Sequence, residues 1–354
     1  MNKRILMTGN EAMAEGAIMA GCYFYAGYPI TPQNEIPAYM SRRMSEENRI
    51  FIQAESELAA INMVFGAAAT GVRAMTSSSS PGISLKQEGI SYLAGAELPA
   101  VIINVMRAGP GLGNIWPSQS DYFQATKGGG HGDYHPIVLS PSSVQEAFDS
   151  MPLAFDLADK YRNPVIILTD GILGQMMEPL ILSHKATKPQ SHKPIKPWAV
   201  TGCKNRKRNI VKSFYLKEGD LEELNLRLQK KYKTIQEKEG RFEGLFLDDA
   251  KIILVAYGTM ARVVKSAVRA LREMNIKAGM IRPITLWPFP NNIFRRLAIG
   301  HKRLVFLVIE MSYGQMIEDV KLALNCRAPV EFLGRSGGGV PTEEDIINKV
   351  TKHG

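Results

Sequence analysis

The sequence predicts an α/β protein with a parallel β-sheet, followed by a second and smaller α/β domain. Short apolar strands alternate with helical segments at the spacing of βαβ units. The segment 99–105 is apolar apart from Asn104, as expected for a central strand that is covered on both faces. The alternation stops near residue 184 and resumes at residue 251, which indicates two domains in a chain of 354 residues.

Residues 1–185 form the first predicted domain. Its strands are predicted at 3–7, 23–26, 51–52, 73–76, 99–105, 136–139 and 165–169, and its helices at 11–21, 33–40, 58–67, 83–94 and 144–160. Asn10 should cap the first helix, and Thr31 followed by Pro32 should begin the second. The helix at 58–67 is apolar nearly all round, so we expect it to be buried.

Residues 186–249 are predicted to form a charged linker or arm, and residues 250–354 the second domain. The arm is rich in Lys, Pro and Ser, and it includes a charge-rich helical stretch at 216–238. The second domain should contain strands at 251–257, 277–281, 304–309 and 330–333 and helices at 260–274, 290–298 and 315–324.

Composition and cysteine usage indicate a cytoplasmic globular protein. The chain is 45% hydrophobic and 22% charged, and no run approaches the length of about 18 apolar residues that spans a membrane. The N-terminus lacks the apolar region of a signal peptide. The three cysteines (Cys22, Cys203 and Cys326) are far apart, which argues against zinc or an iron–sulfur cluster held by this chain. We predict no metal ligands here.

The net charge of +9 raises the question of nucleic-acid binding. Most basic residues are scattered along helices, and the dense run at 204–208 has no interleaved aromatic residues for base stacking. We therefore expect a solvated linker and no nucleic-acid partner. A basic face toward an acidic redox partner or a coenzyme phosphate remains the alternative.

Several polar residues fall at the carboxyl ends of the predicted strands, where parallel sheets bind ligands. Thr31, the segment 77–81, Arg107 and Asp170 lie there, and Glu57 lies just past one strand. A carboxylate at the head of a buried helix is costly unless something uses it or pairs with it. The alternative for Glu57 is a first-turn acid stabilised by the helix dipole.

Four motifs in order resemble the alpha subunit of the 2-oxoacid:ferredoxin oxidoreductases. They are YPITP at 28–32, QAESE at 53–57, SPG at 80–82 and RAGP at 107–110. The segments at 256–259, 281–290, 310–316 and 334–335 resemble the transketolase C-terminal-like domain of the same family. The resemblance covers nearly the whole chain apart from the arm. The segment 106–136 is more similar to the 2-oxoisovalerate (branched-chain) enzymes than to the 2-oxoglutarate enzymes.

The resemblance implies a thiamine-diphosphate-binding (pyrimidine-type) parallel-sheet domain followed by a transketolase C-terminal-like α/β domain. It also implies that thiamine diphosphate is shared with a beta subunit that carries the diphosphate and Mg²⁺. This chain indeed lacks the GDG stretch of that site, because neither of its GD pairs is followed by Gly. Further implied partners are a gamma subunit, a ferredoxin-like delta subunit with iron–sulfur clusters, ferredoxin, coenzyme A and the 2-oxoacid.

The resemblance also assigns roles to individual residues. Glu57 would hydrogen-bond the pyrimidine nitrogen N1′ of the cofactor, and it is preferred to Glu55 because the family places this acid nine residues before a helix glycine, here Gly66. Arg107 would bind the substrate carboxylate through its planar fork, with a surface ion pair as the alternative. Thr31 would present its hydroxyl to substrate or cofactor.

The rest of the predicted pocket is apolar or small. The resemblance adds further cofactor-binding residues, namely Pro29, Ser79, Ser80 and Gly82. Leu112, Ile115 and Trp116 are available as apolar walls, and no second cation follows Arg107 closely to receive a distal carboxylate. That pattern favours a branched aliphatic substrate. His131 and His135 are expected to be loop residues.

The predicted function is therefore the alpha subunit of a complex that oxidatively decarboxylates 2-oxoisovalerate to an acyl-coenzyme A with ferredoxin as acceptor. The alternative substrate is 2-oxoglutarate. An alternative of another class is a non-catalytic scaffold subunit, for which the basic arm would serve in docking. A self-sufficient transketolase-like enzyme is disfavoured because the diphosphate-binding half is missing.

Overall fold

The structure, a computed structural model, describes residues 4–182, 196–300 and 304–352. The predicted border at 185/186 and the predicted strand residue Lys3 lie outside these ranges. Up to residue 181 the elements are β1 (Arg4–Thr8), α1 (Gly9–Met19), β2 (Phe24–Gly27), α2 (Glu35–Glu46), β3 (Ile50–Gln53), α3 (Glu57–Ala69), β4 (Ala74–Ser78), α4 (Ser80–Gly95), β5 (Ala100–Met106), α5 (Tyr122–Thr126), β6 (Ile137–Leu139), α6 (Val144–Tyr161), β7 (Pro164–Asp170), α7 (Gly171–Gln175) and β8 (Met177–Ile181).

The second half contains a further set of strands and helices. They are α8 (Asp220–Lys238), β9 (Phe242–Leu245), β10 (Ile252–Val255), α9 (Gly258–Glu273), β11 (Ala278–Pro283), β12 (Thr285–Trp287), α10 (Asn291–Gly300), β13 (Val305–Glu310), α11 (Met316–Leu324), β14 (Val330–Gly334) and α12 (Glu343–Thr351). Within the described ranges, no helix is long and apolar enough to cross a membrane.

The first sheet has seven strands in the order β12-β6-β7-β5-β4-β2-β3. All neighbours are parallel except the β12–β6 pair, which is antiparallel. Every residue of β5 is buried, as its apolar sequence, interrupted only by Asn104, predicts for a strand covered on both faces. The predicted α/β class with a parallel sheet is confirmed.

The second sheet has five strands in the order β14-β13-β10-β11-β9. Strand β9 is antiparallel to β11 and belongs to a stretch that the sequence predicts to be part of the arm. Strand β12 follows β11 almost directly but joins the first sheet. The segment from β11 to β12 therefore ties both sheets together, and the second half of the chain completes the sheet of the first half.

Two local predictions are wrong. Thr8 caps α1 instead of Asn10, in a capping box with Glu11, because a Thr followed three residues later by Glu satisfies two donors reciprocally. Asn10 lies inside α1, where its amide donates to Pro32 O at 2.8 Å. Thr31 does not cap α2, which begins at Glu35.

The predicted burial of the helix at 58–67 needs correction, and the structure adds detail to the predicted arm. Helix α3 buries one face, while Leu58, Asn62 and Gly66 are exposed in this chain. Helix α8, within the predicted arm, is packed onto the first half: its Leu224, Leu228, Tyr232 and Ile235 are buried. The apolar stripe at helical spacing outweighs the high charge of its other face.

Candidate active site

The carboxyl ends of four adjacent strands form one edge of the first sheet. Strands β5, β4, β2 and β3 are neighbours in that order and run parallel. The segments that follow them carry Arg107, the serines before α4, the YPITP loop and Glu57 respectively. The predicted convergence of these residues on one sheet edge is confirmed.

Glu57 is the first residue of α3 and is only 6% exposed. Ser56 caps the helix, its hydroxyl accepting a hydrogen bond from Ala59 N at 3.1 Å. Within the described ranges, no side chain or main-chain group donates to the Glu57 carboxylate. A Cβ at Gly82, in the first turn of α4, would lie 2.5 Å from Glu57 Oε1. Glycine at position 82 therefore leaves room for a buried acid, whereas Glu55 is exposed.

Two buried serine hydroxyls accompany this carboxylate. Ser78 ends β4 and Ser79 precedes α4, and neither Oγ has a hydrogen-bond partner among the described residues. Ser78 Oγ lies against the same face of Gly82 as Glu57 does. Unpaired buried polar groups need an explanation, since the great majority in folded proteins are hydrogen-bonded. A polar ligand seated at the start of α4 would satisfy these groups.

Arg107 directly follows β5 and is 8% exposed. Its Nη1 donates to Thr31 O at 3.1 Å, and its Nη2 donates to Leu112 O at 3.2 Å. The buried Nε has no partner among the described residues. No carboxylate of the described residues pairs with Arg107, so the surface ion pair considered from the sequence does not form in this chain. The guanidinium instead links the YPITP loop to the loop after β5 that contains Leu112.

A buried polar network fixes the main chain of Arg107. Arg107 N donates to Ser80 Oγ at 3.0 Å, and that hydroxyl donates to Asp121 Oδ2 at 2.6 Å. Asn104 Nδ2 donates to the same carboxylate oxygen at 2.9 Å. Burial raises the pKa of Asp121, while these two hydrogen bonds oppose the shift. Ser80, which the sequence predicts as a cofactor ligand, serves here to position Arg107.

The YPITP loop is anchored by hydrogen bonds of Gln33 and not by a helix cap. Gln33 Nε2 donates to Tyr28 O at 3.2 Å, and Gln33 Oε1 accepts from Ser77 Oγ at 2.5 Å. Thr31 is half-buried, and its hydroxyl accepts a hydrogen bond from Asn34 Nδ2 at 3.2 Å. Pro29 is exposed. The loop thus presents Pro29 and Thr31 on top of a rigid polar base.

The predicted apolar walls are not enclosed by this chain. Leu112, Ile115 and Trp116 are 81%, 57% and 63% exposed. A cavity of about 620 Å³ is lined by Glu146 of α6, by Arg282 of β11 and by residues of α9. It includes none of the predicted site residues. The role of Leu112 and Ile115 in substrate binding stays a prediction that requires a covering partner.

The two loop histidines lie outside this cluster. His135 stacks on Trp287 with ring centroids 4.7 Å apart, and burial lowers its pKa. His131 is exposed, and its main-chain oxygen accepts from Ser91 Oγ at 2.6 Å. Neither ring contacts Glu57 or Arg107 in the described structure.

Three buried polar residues of this region were not singled out from the sequence: Gln33, Lys86 and Asp121. Of the three, Lys86 could have been singled out from the sequence, because the face of α4 that carries Lys86 and Gly82 is otherwise poor in charged residues. Gln33 and Asp121 lie in loop segments, where their burial depends on packing between distant parts of the chain.

Comparisons with known proteins support the fold and show the family. A family model described as pyruvate flavodoxin/ferredoxin oxidoreductase, thiamine diphosphate-binding, matches residues 15–212. A second, pyruvate:ferredoxin oxidoreductase core domain II, matches residues 250–346. The structure also resembles a split-gene transketolase with a TM-score of 0.61 at 13% identity, covering 98% of this chain and 97% of the other, which supports the fold alone.

Two curated relatives match over nearly their full length. Ketoisovalerate oxidoreductase subunit VorB of Methanothermobacter thermautotrophicus is 54% identical, covering 98% of this chain and 96% of the relative. 2-Oxoglutarate synthase subunit KorA of Methanothermobacter marburgensis is 38% identical, covering 99% of both. The 2-oxoglutarate:ferredoxin oxidoreductase structure from Magnetococcus marinus has a TM-score of 0.88 at 26% identity, over 99% of this chain; this chain spans 65% of the length of that one.

The fold and the family models together define an α/β protein with a thiamine-diphosphate-binding domain. The chain belongs to the pyruvate flavodoxin/ferredoxin oxidoreductase family, whose members include subunits of 2-oxoacid oxidoreductases.

Proposed function

We propose that this chain is the alpha subunit of a 2-oxoacid:ferredoxin oxidoreductase that acts on 2-oxoisovalerate. The observation that carries the proposal is a buried acid, Glu57, whose carboxylate accepts no hydrogen bond from the described residues. It lies at the sheet edge of a thiamine-diphosphate-binding family member. The substrate follows the relatives, since the named ketoisovalerate subunit is 54% identical and the 2-oxoglutarate subunit 38% identical.

The residues present fit one half of a thiamine diphosphate site. When bound, this cofactor supplies a thiazolium carbon that adds to the oxo carbon of a 2-oxoacid and accepts the electrons left by decarboxylation. Glu57 would hold a proton toward the pyrimidine nitrogen N1′, and its burial strengthens that hydrogen bond. Ser79 and Gly82 at the start of α4, with Pro29 and Thr31 above, would line the ring. The diphosphate, Mg²⁺ and iron–sulfur clusters are assigned to partner subunits.

Arg107 would bind the substrate carboxylate. Two of its nitrogens are already anchored to main-chain oxygens, which fixes the plane of the guanidinium. Its unpaired Nε, together with the remaining N–H groups, would face two carboxylate oxygens in the fork geometry. Leu112 and Ile115 would then lie beside the branched substrate tail, covered by the partner subunit.

The proposed activity belongs to an assembly. This chain would pair with a beta subunit carrying the diphosphate site, and with gamma and ferredoxin-like delta subunits or their equivalents. Ferredoxin would accept the electrons and coenzyme A the acyl group. The exposed apolar residues after Arg107 support such a partner, because clustered apolar surface commonly marks an interface.

The test uses the native complex, isolated anaerobically through a tag on this chain. Dye reduction that depends on coenzyme A is compared for 2-oxoisovalerate, 2-oxoglutarate and pyruvate. A preference for 2-oxoisovalerate supports the proposal. A preference for 2-oxoglutarate would leave the proposed mechanism intact but contradict the inference of an apolar substrate pocket. An apolar pocket discriminates between substrates that differ by one methylene by only about 1–3 kcal/mol, so all three substrates are compared directly. Unchanged turnover in Glu57→Gln and Arg107→Ala, with a lower yield of complex, would favour the scaffold alternative.

A further inference from the structure

A glycine turn of the second half lies against the loop after β5. The turn comprises residues 336–339 and follows β14. Asn114 Nδ2 donates to Gly337 O, 223 residues further along the chain, at 3.1 Å. A Cβ at Gly338 would lie 2.6 Å from the Cβ of Trp116. The loop and the glycine turn therefore touch both through a hydrogen bond and through a close steric contact.

The missing side chain at Gly338 is what allows this approach. Two carbon atoms at 2.6 Å are far inside van der Waals contact, so any other residue at this position would displace Trp116. Gly338 has a φ of +96°, and its neighbour Gly337 has a φ of +67°. A Cβ at Gly337 would meet no atom of the described residues within 4 Å. The two glycines thus share a backbone requirement, but only Gly338 also has a steric one.

Trp116 fixes the fold of the loop on which the proposed substrate walls lie. Its main-chain oxygen accepts from Ala108 N at 2.9 Å, and Asn114 N donates to Ala108 O at 3.0 Å. Trp116 N donates to Asn114 Oδ1 at 3.0 Å. Leu112 and Ile115 lie between these bonded positions. A displacement of Trp116 would therefore move both wall residues.

The proposed carboxylate site is anchored separately from the glycine turn. Arg107 N donates to Ser80 Oγ at 3.0 Å, and Arg107 Nη1 donates to Thr31 O at 3.1 Å. Both partners lie at the edge of the first sheet. Of the hydrogen bonds of the guanidinium, the one from Nη2 to Leu112 O belongs to the loop. A shifted loop would misplace the walls around the substrate tail and leave Arg107 and Glu57 at the sheet edge.

Core stability is a weak reason for this close fit. Trp116 is 63% exposed, so its contact with the turn removes little apolar surface from water. We propose that Gly338 is a positioning residue that seats Trp116 and thereby sets which 2-oxoacid tails the site accepts. The inference rests on the proposed function. It assigns a part in substrate selectivity to the second half of the chain, which carries none of the predicted site residues.

The experiment measures kcat/KM for 2-oxoisovalerate and for pyruvate in the native complex that carries Gly338→Ala. The ratio of the two constants should fall about tenfold or more, mostly through a higher KM for 2-oxoisovalerate, because misplaced walls lose the branched tail but not the methyl group of pyruvate. The dissociation constant of thiamine diphosphate, measured by calorimetry, should stay within about twofold of wild type. A ratio within about twofold of wild type in the assembled complex would overturn the inference.

Gly337→Ala is the matched control. It adds the same methyl group to a positive-φ residue of the same turn without a steric contact. Its ratio should stay within about twofold of wild type. An equal loss of selectivity in Gly337→Ala and Gly338→Ala would assign the effect to backbone strain and overturn the inference.

Asn114→Ala keeps the inference testable if Gly338→Ala does not assemble. It removes the hydrogen bond to the glycine turn and introduces no clash. The same selectivity ratio should fall about threefold or more, as expected for the loss of a positioning hydrogen bond. A wild-type ratio in Asn114→Ala would then overturn the inference.

Trp116→Gly tests whether Gly338 acts through Trp116. The three atoms nearest to a Cβ at position 338 all belong to the Trp116 side chain. Adding Gly338→Ala to Trp116→Gly should therefore change the selectivity ratio no further. A further loss as large as in the single Gly338→Ala variant would overturn the inference.

The wild-type complex separates this inference from the proposed function. A wild-type preference for 2-oxoglutarate would overturn the proposed substrate, and the role of Gly338 would fall with it. A wild-type preference for 2-oxoisovalerate that Gly338→Ala leaves unchanged would overturn the role of Gly338 alone.

Discussion

Glu57 and Glu310 are buried acids that each lie between a strand of a parallel sheet and a helix, yet their carboxylates are used in opposite ways. Glu310 accepts hydrogen bonds from Ser312 Oγ at 2.9 Å and from the main-chain nitrogens of residues 315–317 at 3.0–3.1 Å. Its acid caps α11. The carboxylate of Glu57 accepts none from the described residues, although Glu57 is equally enclosed.

This difference separates a structural acid from a candidate functional one. Burial alone is common to both, and so is the position at a helix start. A carboxylate whose lone pairs are all used has no capacity for a ligand, whereas an enclosed carboxylate without partners is costly unless a ligand completes it. The following substitutions test this difference between Glu57 and Glu310, in order of decreasing expected effect.

Glu57→Gln should lower turnover of the assembled complex by about 100-fold or more, since proton transfer by a positioned acid contributes that much. Glutamine has the same shape but cannot hold or release the proton at N1′. The measurement is the steady-state rate with 2-oxoisovalerate, together with the yield of complex. A variant that keeps more than about a tenth of wild-type turnover would contradict the role of Glu57.

Arg107→Lys should lower kcat/KM for the 2-oxoacid by about 10- to 100-fold, mostly through KM, because lysine keeps the charge but loses the fork. Cofactor affinity should change little, since the acid that holds N1′ is untouched. Kinetics over a range of 2-oxoacid concentrations and calorimetry with thiamine diphosphate measure the two effects separately. Arg262→Lys is the control: Arg262 on α9 is exposed and pairs with Glu178 of β8.

Glu310→Gln should leave turnover per assembled complex within about twofold but lower the free energy of unfolding by about 1–3 kcal/mol. The amide oxygen is a weaker acceptor for the donors of α11, and its NH₂ group faces donors instead of acceptors. Thermal unfolding of the wild type and the variant measures the loss. A large drop in turnover with unchanged stability would remove the distinction between the two acids.

The wild type and Glu310→Gln also allow a test of how stability depends on pH. Burial raises the pKa of Glu310 above 4.5, so the folded state binds this proton more tightly than the unfolded state does. Stability from this group is therefore gained as the pH falls toward its folded pKa and lost as the pH rises. The difference in unfolding free energy between wild type and Glu310→Gln should widen from about pH 8 to about pH 5. A constant difference would contradict the assignment.

The sequence predicts the sheet and the meeting of its strand ends well, because strong apolar runs such as β5 and the order of βαβ units are local features. It also predicts that Thr31 and Arg107 share this sheet edge. The choice of Glu57 over Glu55 as the cofactor-contacting acid follows from the family resemblance and stays a prediction, although Glu57 is the buried one of the two. The cap of α1 could have been read from Thr8 and Glu11, which are spaced as a capping box. The predicted cap, Asn10, is nearer the apolar run but lies inside the helix.

The remaining differences depend on contacts between distant segments. Strand β12 is three residues long and pairs with β6, far back in the chain. No local pattern fixes such a pairing. The burial of Asp121 and Lys86 likewise arises only when loops and helices pack. Helix α3 was expected to be buried all round, but in this chain its face with Leu58 and Gly66 is exposed, so its apolar character exceeds what this chain's own core requires.

Glu55→Gln should have the smallest effect and is the most direct check on the choice between the two neighbouring acids. Glu55 is exposed, and its carboxylate forms no hydrogen bond or ion pair with the described residues. We expect a change in turnover below about twofold and a change in stability within about 0.5 kcal/mol, as for other surface substitutions. Parallel assays of the Glu55 and Glu57 variants in the same complex measure this. If Glu55→Gln instead lost turnover while Glu57→Gln kept it, the roles of the acids would be exchanged, and the unused carboxylate of Glu57 would lose its explanation.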